Sequence, residues 1–283
     1  MNETLWAICN PVEFINAIRF SRRVRDYSPQ KIDLPSILNW ISQFPEEDRG
    51  LILSLLSSIR YYSAGKVKEI LVKKNQELLD RLGGAGVMPE HIIYASLDEA
   101  GSSSPVMLNV LRDAAQLQRK RTKLIDSRDV FGFVKTTSEL GNGAIIYVDD
   151  FAGTGKQFLE SRNFIAEQVT TIGQFSEFFL LPCICREAYD LIREQGVEVI
   201  CDYIHEKADR PLHPLSGMDA TIKQRLVDYS KRADPAAPLG YGDIAAMVVN
   251  YRNSPNSMPP LFRGNVGQDR LKGILPRITD LSR

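Results

Sequence analysis

The sequence predicts an α/β fold built on a mainly parallel β-sheet. From about residue 85 to residue 205, apolar strand candidates alternate with helical segments, which is typical of βαβ units. The apolar run 144–148 ends in two adjacent carboxylates, and a turn of small residues and a helical segment follow at once. Open α/β sheets bind ligands at the carboxyl ends of their strands. These observations therefore predict the fold and also the end of the sheet that carries a site.

Composition limits the class of protein. The chain has 283 residues, enough for one large α/β domain or for a core domain with a helical annex. Lys plus Arg and Asp plus Glu both number 35, so the formal net charge of zero gives no global reason to expect nucleic acid or an anionic membrane as a partner. Residues 1–6 lack a basic leader, and no apolar run approaches the length of a membrane span. We therefore expect a soluble, cytoplasmic protein.

The cysteines do not indicate a disulfide framework, because there are only four in a chain of this length. Cys183 and Cys185 stand two positions apart on a predicted strand, so they share one face and are expected to be buried core thiols. A Cys or His pair at suitable spacing is missing elsewhere, so no structural metal site is predicted.

The periodicity of the apolar residues predicts the other elements. Residues up to about 82 predict helices and no strand, and Gly83 and Gly84 end the last of these helices. Ser104 as N-cap and Pro105 at the first helical position predict a helix to Leu117. The other strand candidates are 91–97, 144–148, 176–184, 197–204 and 245–249, and the other helices end near 168 or span 185–195 and 219–231.

The stretch 144–157 carries the strongest functional signal. Asp149 and Asp150 can accept hydrogen bonds from two neighbouring hydroxyl groups, as on a ribose. The turn 153–155 offers backbone N–H groups and a helix N-terminus to a phosphate. Together the strand, the diacid and the turn predict a ribose-phosphate site.

Two other interpretations of this stretch compete with a ribose-phosphate site. One is an ordinary strand end with a turn and an N-cap, which lacks a ligand. The other is a P-loop, and it is excluded because Asp150 stands where that motif needs a glycine and Gln157 stands where it needs Ser or Thr.

The segment 148–155, Val-Asp-Asp-Phe-Ala-Gly-Thr-Gly, resembles the phosphoribosyl-diphosphate motif of type I phosphoribosyltransferases. The resemblance implies a type I phosphoribosyltransferase-like sheet with flanking helices, in which the motif ends the third core strand. It also implies that Asp149 and Asp150 are the catalytic pair that holds the ribose hydroxyls. The residues that it implies for phosphate binding are Ala152, Gly153, Thr154, Gly155 and Lys156.

In that family the loop after the first core strand binds pyrophosphate and its magnesium. The resemblance places this loop at 97–104, with Ser102, Ser103 and Ser104 as the expected binding residues. Mg²⁺ is therefore expected with a phosphoribosyl diphosphate-type ligand, and no metal-ligating residues are assigned. The basic stretch 119–123 lies where the family often has a mobile loop, and a solvated connection is at least as good an interpretation.

Two later segments, 240–243 and 253–262, are similar to a subgroup of phosphoribosyltransferase-like proteins that accompany bacterial conflict systems, including retrons. This resemblance implies a helical N-terminal region, 1–84, and a phosphoribosyltransferase-like domain with a C-terminal hood, 85–283. It implies an effector or regulator in anti-phage defence. The implied partners are a phosphoribosyl or nucleotide ligand, a retron reverse transcriptase with its nucleic acid, and other subunits of a homo- or hetero-oligomer.

Two departures from the family leave the function open. Purine-salvage members carry an aspartate where this chain has Gly153, and a hydroxyl residue where it has Gln157. The leading hypothesis is an enzyme that acts at the ribose anomeric carbon, by phosphoribosyl transfer or by N-glycosidic bond cleavage. The alternatives are a nucleotide-sensing subunit that performs no chemistry and a scaffold of a nucleoprotein complex. The scaffold would use an arginine cluster for which a solvated helix face is the favoured interpretation: Arg19, Arg22, Arg23 and Arg25.

A polar cluster follows the last core strand and consists of His205, Glu206, Asp209, Arg210 and His213. It could form part of a hood over a base, supply a general acid or bind a metal. A solvated loop is the favoured interpretation.

Overall fold

The computed structural model describes residues 11–97, 102–126, 129–264 and 271–278. Within these ranges the helices are α1 (Pro11–Arg23), α2 (Leu34–Ile41), α3 (Glu46–Ser58), α4 (Ala64–Gly84), α5 (Ser103–Ala115), α6 (Val130–Leu140), α7 (Lys156–Gln168), α8 (Arg186–Glu194), α9 (Ala220–Ala233) and α10 (Pro260–Arg263). The strands are β1 (Arg60–Tyr62), β2 (Ile92–Ser96), β3 (Lys123–Asp126), β4 (Gly143–Val148), β5 (Phe151–Ala152), β6 (Phe175–Cys185), β7 (Glu198–His205) and β8 (Val248–Asn250). No helix in these ranges is long and apolar enough to span a membrane.

The chain forms two compact units. One, the sheet unit, consists of Gly65–His205, and the other, the terminal unit, consists of Met1–Ala64 and Glu206–Arg283. The division into domains at residue 84 stays a prediction.

The sheet unit contains a parallel sheet with the strand order β3, β2, β4, β6, β7. The short strand β5 also pairs with β6, beyond the end of β4. Numbered along the chain, the five long strands lie in the order 2-1-3-4-5, which is a doubly wound topology. The predicted α/β fold with a mainly parallel sheet is confirmed, and the strand before the diacid is the third core strand, as expected.

Apolar packing holds α7 against the middle of this sheet. The Phe158 ring, on α7, stacks on Phe179 of β6 with ring centroids 4.2 Å apart, and Tyr147 of β4 meets Phe158 edge-on at 5.5 Å. All three side chains are buried in one hydrophobic cluster. The predicted burial of Cys183 and Cys185 on β6 is also confirmed.

Two elements that follow helix α5 in the chain, β3 and α6, were not predicted from the sequence. The basic stretch 119–123 was interpreted as a mobile loop or a solvated connection, but Lys123–Asp126 forms β3 at the edge of the sheet. Its end residues are charged and exposed, as is common for edge strands, and this hides the apolar alternation. Helix α6 was missed as well, although Asp129 caps it by accepting a hydrogen bond from the Gly132 N–H at 2.9 Å.

Helix α5 begins earlier than predicted. Ser102, with an extended backbone, occupies the N-cap position, so the assignment of Ser104 as N-cap is wrong. Ser104 lies within the first turn and is completely buried. Its hydroxyl does not cap the helix, because it bonds to the ends of two strands.

The terminal unit joins the two ends of the chain. Strand β1, which the sequence analysis missed, pairs in parallel with β8. Buried side chains of α1–α3 share one hydrophobic cluster with residues from Leu212 to Leu275. Helices α1–α3 of the N-terminal helical region and the C-terminal hood-like segment thus contribute to a single core.

Candidate functional site

The topology of the sheet unit places a switch point between β2 and β4. After β2 the next strand of the chain, β3, is added at one lateral edge of the β2–β4 pair. After β4 the next long strand, β6, is added at the opposite edge. Ligands of doubly wound sheets bind outside the carboxyl ends of the strands at such a switch point. Leu97 follows β2 directly, and Asp149 and Asp150 follow β4 directly. The diacid therefore stands at the place where this topology favours a ligand.

The diacid is held by backbone contacts on both sides. The Asp149 N–H donates to the Leu180 carbonyl oxygen of β6 at 3.1 Å, which extends the pairing of the two strands. The Asp150 N–H donates to Asp149 Oδ1 at 2.8 Å, so one carboxylate is oriented by the next peptide group. Both aspartates are half-buried. This arrangement fixes the backbone of the pair and leaves both side chains partly accessible to solvent.

The turn after the diacid is held at its start by strand pairing and at its end by the beginning of α7. Phe151 and Ala152 form β5 against Cys183 and Ile184 of β6. At the other end, Gly155 has a φ of +75° and is the N-cap of α7.

Gly155 also leaves no room for a side chain. A Cβ atom at this position would lie 3.2 Å from Ala188 Cα and 3.3 Å from Ala188 Cβ on α8. Both the left-handed backbone and the close approach favour glycine.

The predicted phosphate-binding residues lie together at the start of α7. Ala152, Gly153 and Thr154 are half-buried, Gly155 is buried and Lys156 is exposed. Thr154 Oγ1 accepts a hydrogen bond from the Lys156 N–H at 3.3 Å. The N–H groups in the first turn of a helix have no carbonyl partner within that helix. With 13 residues, α7 therefore directs a partial positive charge toward the diacid turn.

The three serines of the other loop do not share one environment. The Ser104 hydroxyl donates to the Val148 carbonyl oxygen at 2.6 Å and accepts from the Leu97 N–H at 2.8 Å. Ser103 is half-buried. The Ser102 hydroxyl is buried and has no hydrogen-bond partner among the residues that the structure describes. Positions 98–101 of the expected pyrophosphate loop lie outside the described residues.

A buried polar network that the sequence analysis missed links the diacid strand to α7. The Tyr147 hydroxyl donates to Glu177 Oε2 at 2.9 Å, and the Arg162 guanidinium donates to both Glu177 oxygens. Burial raises the pKa of the Tyr147 hydroxyl well above its usual value. The hydrogen bond to Glu177 raises the pKa of the Arg162 guanidinium. The network ties β4, β6 and α7 together behind the turn, and no local sequence pattern would have revealed it.

The polar cluster after β7 is largely buried, so its interpretation as a solvated loop is wrong. His205 is buried at the end of β7. In the terminal unit His213 is buried and Arg210 is completely buried. Arg210 Nε donates to the Glu206 carbonyl oxygen at 3.1 Å and Nη1 donates to that of Ile244 at 2.8 Å. Arg210 therefore connects two loops of the terminal unit.

The four arginines of the cluster are exposed, as the interpretation of a solvated face expects. Arg23 also lies over the Phe20 ring and donates to the Leu56 carbonyl oxygen at 3.4 Å. Burial lowers its pKa. At least this member of the cluster has a structural contact within the terminal unit.

A family model described as PRTase-CE matches residues 37–277. The chain belongs to the PRTase-CE family. The match covers the diacid segment 148–155 and both later segments, 240–243 and 253–262. The PRTase-CE assignment agrees with the strand order of the sheet unit, and it makes this a phosphoribosyltransferase-like protein.

Three solved structures align with the PRTase-CE chain. A protein of Aquifex aeolicus aligns at 14% identity over 42% of this chain and 56% of its own, with a TM-score of 0.31, so this chain spans just over half of that structure. Orotate phosphoribosyltransferase from Aeropyrum pernix aligns at 14% identity over 65% and 93%, with a TM-score of 0.30. A hypothetical protein from Neisseria gonorrhoeae with bound ppGpp aligns at 11% identity over 60% and 96%, with a TM-score of 0.33. No curated protein sequence matches the PRTase-CE chain.

Proposed function

We propose that this PRTase-CE protein binds a phosphoribosyl compound or nucleotide together with Mg²⁺ and acts at the ribose anomeric carbon. The observation that carries the proposal is the position of Asp149 and Asp150. They follow the third core strand at the switch point of the sheet, directly before the turn that opens α7. A ribose and its phosphate would occupy the diacid and the turn at the same time.

The chemistry follows from these two contacts. Displacement at the anomeric carbon builds positive charge on the ribose, and the carboxylates of Asp149 and Asp150 would stabilise that charge. The turn and the first amides of α7 would hold the phosphate and so fix the position of the reacting carbon.

The residues present fit a magnesium ion that arrives with its ligand. Mg²⁺ is usually held by one or two carboxylates together with substrate phosphates, and Asp149 and Asp150 supply two. In the described part of the chain, no group of three or more His, Cys, Asp or Glu side chains could hold a metal by itself. When bound, Mg²⁺ would neutralise phosphate charge beside the same two carboxylates that face the ribose.

A nucleotide-sensing subunit is the second candidate function, and Gly153 favours it. No carboxylate stands at the position where purine-salvage enzymes handle the ring nitrogen of the base. A protein that holds the ribose phosphate without this group can bind the ligand and report it without transferring a base.

The biological role that we propose is bacterial anti-phage defence of the retron type, as an effector. The similarity of segments 240–243 and 253–262 to conflict-system proteins supports it. A phage-infection assay on cells that carry the complete system tests this role, since loss of the diacid should abolish protection.

The binding test replaces both aspartates, Asp149→Asn with Asp150→Asn. We expect calorimetry with phosphoribosyl diphosphate, NAD or nucleoside phosphates in Mg²⁺ buffer to show at least about a 100-fold loss of affinity for the ligand that binds best, since two charged hydrogen-bonding groups are lost. The control is Asp80→Asn with Asp113→Asn, which makes the same charge change at two exposed positions of the sheet unit.

Product analysis separates the two candidates. Release of pyrophosphate or base by the wild-type protein supports the enzyme, whereas thermal stabilisation without any product supports the sensor. If the double Asn variant keeps both its ligand affinity and its effect on infection, the proposed site is wrong.

A further inference from the structure

A cluster of positive charges lies where the chain enters the edge strand β3. Four of the five positions 119–123 are basic, and together they form what we call the basic turn: Arg119, Lys120, Arg121 and Lys123. Lys120 is half-buried and the other three are exposed. None of the four pairs with a carboxylate in the part of the chain that the structure describes. Because the whole chain has a formal net charge of zero, the basic turn is a local excess of positive charge.

Other basic residues of the sheet unit do have carboxylate partners. Lys66 pairs with Glu69 at 3.0 Å, and Arg186 pairs with Asp190 at 3.2 Å, each about one helical turn away. Such pairs neutralise charge locally and stabilise the helix that carries them. The basic turn has no such compensation, so its adjacent positive charges repel one another until an anion joins them.

The basic turn lies at the opposite end of the sheet from the diacid. Lys123, the first residue of β3, is level with Ile93 of β2, which is level with Ile145 of β4. Asp149 lies four positions after Ile145, about 13 Å farther along the strand direction. The rest of the basic turn precedes β3, so it belongs to the amino ends of the parallel strands. A ligand at the diacid therefore does not account for these charges.

The backbone of the basic turn is strained and held in place. Gln116 and Arg121 have φ values of +52° and +62°, in the left-handed region that residues other than glycine seldom adopt. Between them Leu117 is completely buried, and its carbonyl oxygen accepts a hydrogen bond from the Thr122 hydroxyl at 3.1 Å. Strain of this kind persists only where the surroundings enforce it, and it is concentrated at functional sites. The charges therefore project from a backbone that is set before any partner binds.

The spacing of the charges indicates which partner fits. From Arg119 to Lys123 the chain covers at most about 14 Å, or about one positive charge per 3.5 Å. A nucleic-acid strand carries one phosphate per about 3.4 Å. Arginine binds phosphate through two parallel N–H groups, and lysine binds it as a point charge.

We propose that the basic turn is an interaction surface for the phosphate backbone of a nucleic acid, separate from the ligand site at the diacid. The inference does not rest on the proposed function. Binding through phosphates releases counterions, so the affinity must fall as the salt concentration rises. For a single strand, the slope of log K against log salt concentration is about −0.7 per phosphate contact.

The experiment measures fluorescence anisotropy of a labelled oligo-dT of about 20 nucleotides with the full-length protein, from about 50 to 200 mM salt. The variant Arg119→Gln with Arg121→Gln removes two cations. We expect it to bind at least about tenfold more weakly at the lowest salt, with a slope that is less steep by about 1.4.

A matched control removes two exposed cations elsewhere in the sheet unit, Lys135→Gln with Arg193→Gln. It makes the same change in net charge and should leave the slope unchanged. A second variant, Arg121→Asn, removes one charge but suits the left-handed backbone better. It should weaken binding without lowering the melting temperature, which a purely structural role for Arg121 does not predict.

Two further arms identify the partner and its site. Polyglutamate at equal charge concentration should not displace the oligonucleotide, because its carboxylates lack the regular phosphate spacing. The variant Asp149→Asn with Asp150→Asn should bind the oligonucleotide no more weakly than the wild type. A loss in this variant would place the oligonucleotide at the diacid and overturn the proposal.

The other outcomes are also decisive. The proposal is wrong if the wild type does not bind the oligonucleotide at the lowest salt, or if the control loses as much affinity as the Arg119 and Arg121 variant. Displacement by polyglutamate would favour an acidic protein as the partner instead. None of these results changes the function proposed for the diacid, which is tested with its own ligands.

Discussion

The sheet unit is assembled from consecutive strand–helix segments, whereas the terminal unit joins two stretches of chain from opposite ends of the sequence. In the sheet unit each strand pairs with one that is near along the chain, and the cores of β2, β4 and β6 are apolar almost throughout. In the terminal unit β1 pairs with β8, and α1–α3 share a cluster with residues after Leu212.

This difference predicts how strongly the stability of each unit depends on a single contact. A unit made of local segments retains much of its structure when one distant contact is lost, because neighbouring elements still pack on each other. A unit closed by long-range contacts must overcome a larger loop-closure entropy, so single buried links contribute more to its cooperativity. We therefore expect the loss of a buried link to lower the free energy of unfolding more in the terminal unit than in the sheet unit.

The largest effect is expected at Arg210 in the terminal unit. Arg210→Leu removes a buried hydrogen bond to the Ile244 carbonyl oxygen and a partly buried one to the Glu206 carbonyl oxygen. Hydrogen bonds from a charged group contribute about 1.5–3 kcal/mol each, so we expect the free energy of unfolding to fall by about 3 kcal/mol or more. Urea denaturation measures this loss, and hydrogen exchange should locate it in the terminal unit.

The control for Arg210 is Arg232→Leu in the same unit. Arg232 is exposed and lies over the Tyr229 ring at 5.8 Å. Its replacement should change the free energy of unfolding by no more than about 0.5 kcal/mol. A loss at Arg210 that is as small as this would contradict the importance of single long-range links.

The second effect is expected at Arg162 in the sheet unit. Arg162→Met leaves the Glu177 carboxylate, whose side chain is 8% exposed, with only the Tyr147 hydroxyl among the partners described above. We expect a loss of about 2 kcal/mol in urea denaturation. Adding Glu177→Gln should recover part of it, because the uncompensated charge disappears. Strictly additive losses in this double-mutant cycle would show that the pair is not coupled.

A smaller effect is expected at Gly155, which separates strain from packing. Gly155→Ala forces a Cβ into a left-handed backbone and against Ala188, and should cost about 1–2 kcal/mol in thermal unfolding. Gly141, with a φ of +74° and open space around its Cβ position, is the matched control. Gly141→Ala should cost less, and equal costs would mean that the approach to Ala188 does not contribute.

The smallest effect concerns the Cys201 thiol, whose titration changes the free energy of unfolding only at alkaline pH. Burial raises the pKa of its thiol from 9.0 to about 11. The unfolded chain therefore loses this proton first as the pH rises, so the stabilisation is present below pH 9 and is lost between pH 9 and 11. Wild type should lose more stability across this interval than Cys201→Ala. At pH 8 its thiolate fraction, read by alkylation and mass spectrometry, should be about 100-fold below that of the unfolded chain.

The order of elements in the sheet unit was predictable because the signal for each strand lies within the strand itself. The apolar runs at β4 and β6 and the helical spacing of α8 needed no information from elsewhere. The edge strand β3 escaped prediction because its outer residues face water, and β1 escaped because three residues cannot display an alternation. The assignment of Ser104 as N-cap failed because two distant backbone groups compete for its hydroxyl.

The sequence by itself determined the parallel sheet and the place of the Asp149–Asp150 pair before a turn and a helix, since strand, acids, glycines and helix are consecutive and act through short-range forces. Only the tertiary structure decided which groups support them. The Ser104–Val148, Arg162–Glu177 and Arg210–Ile244 hydrogen bonds join residues that lie 44, 15 and 34 positions apart. Such contacts depend on which faces meet after the chain has packed, and no local periodicity encodes that meeting.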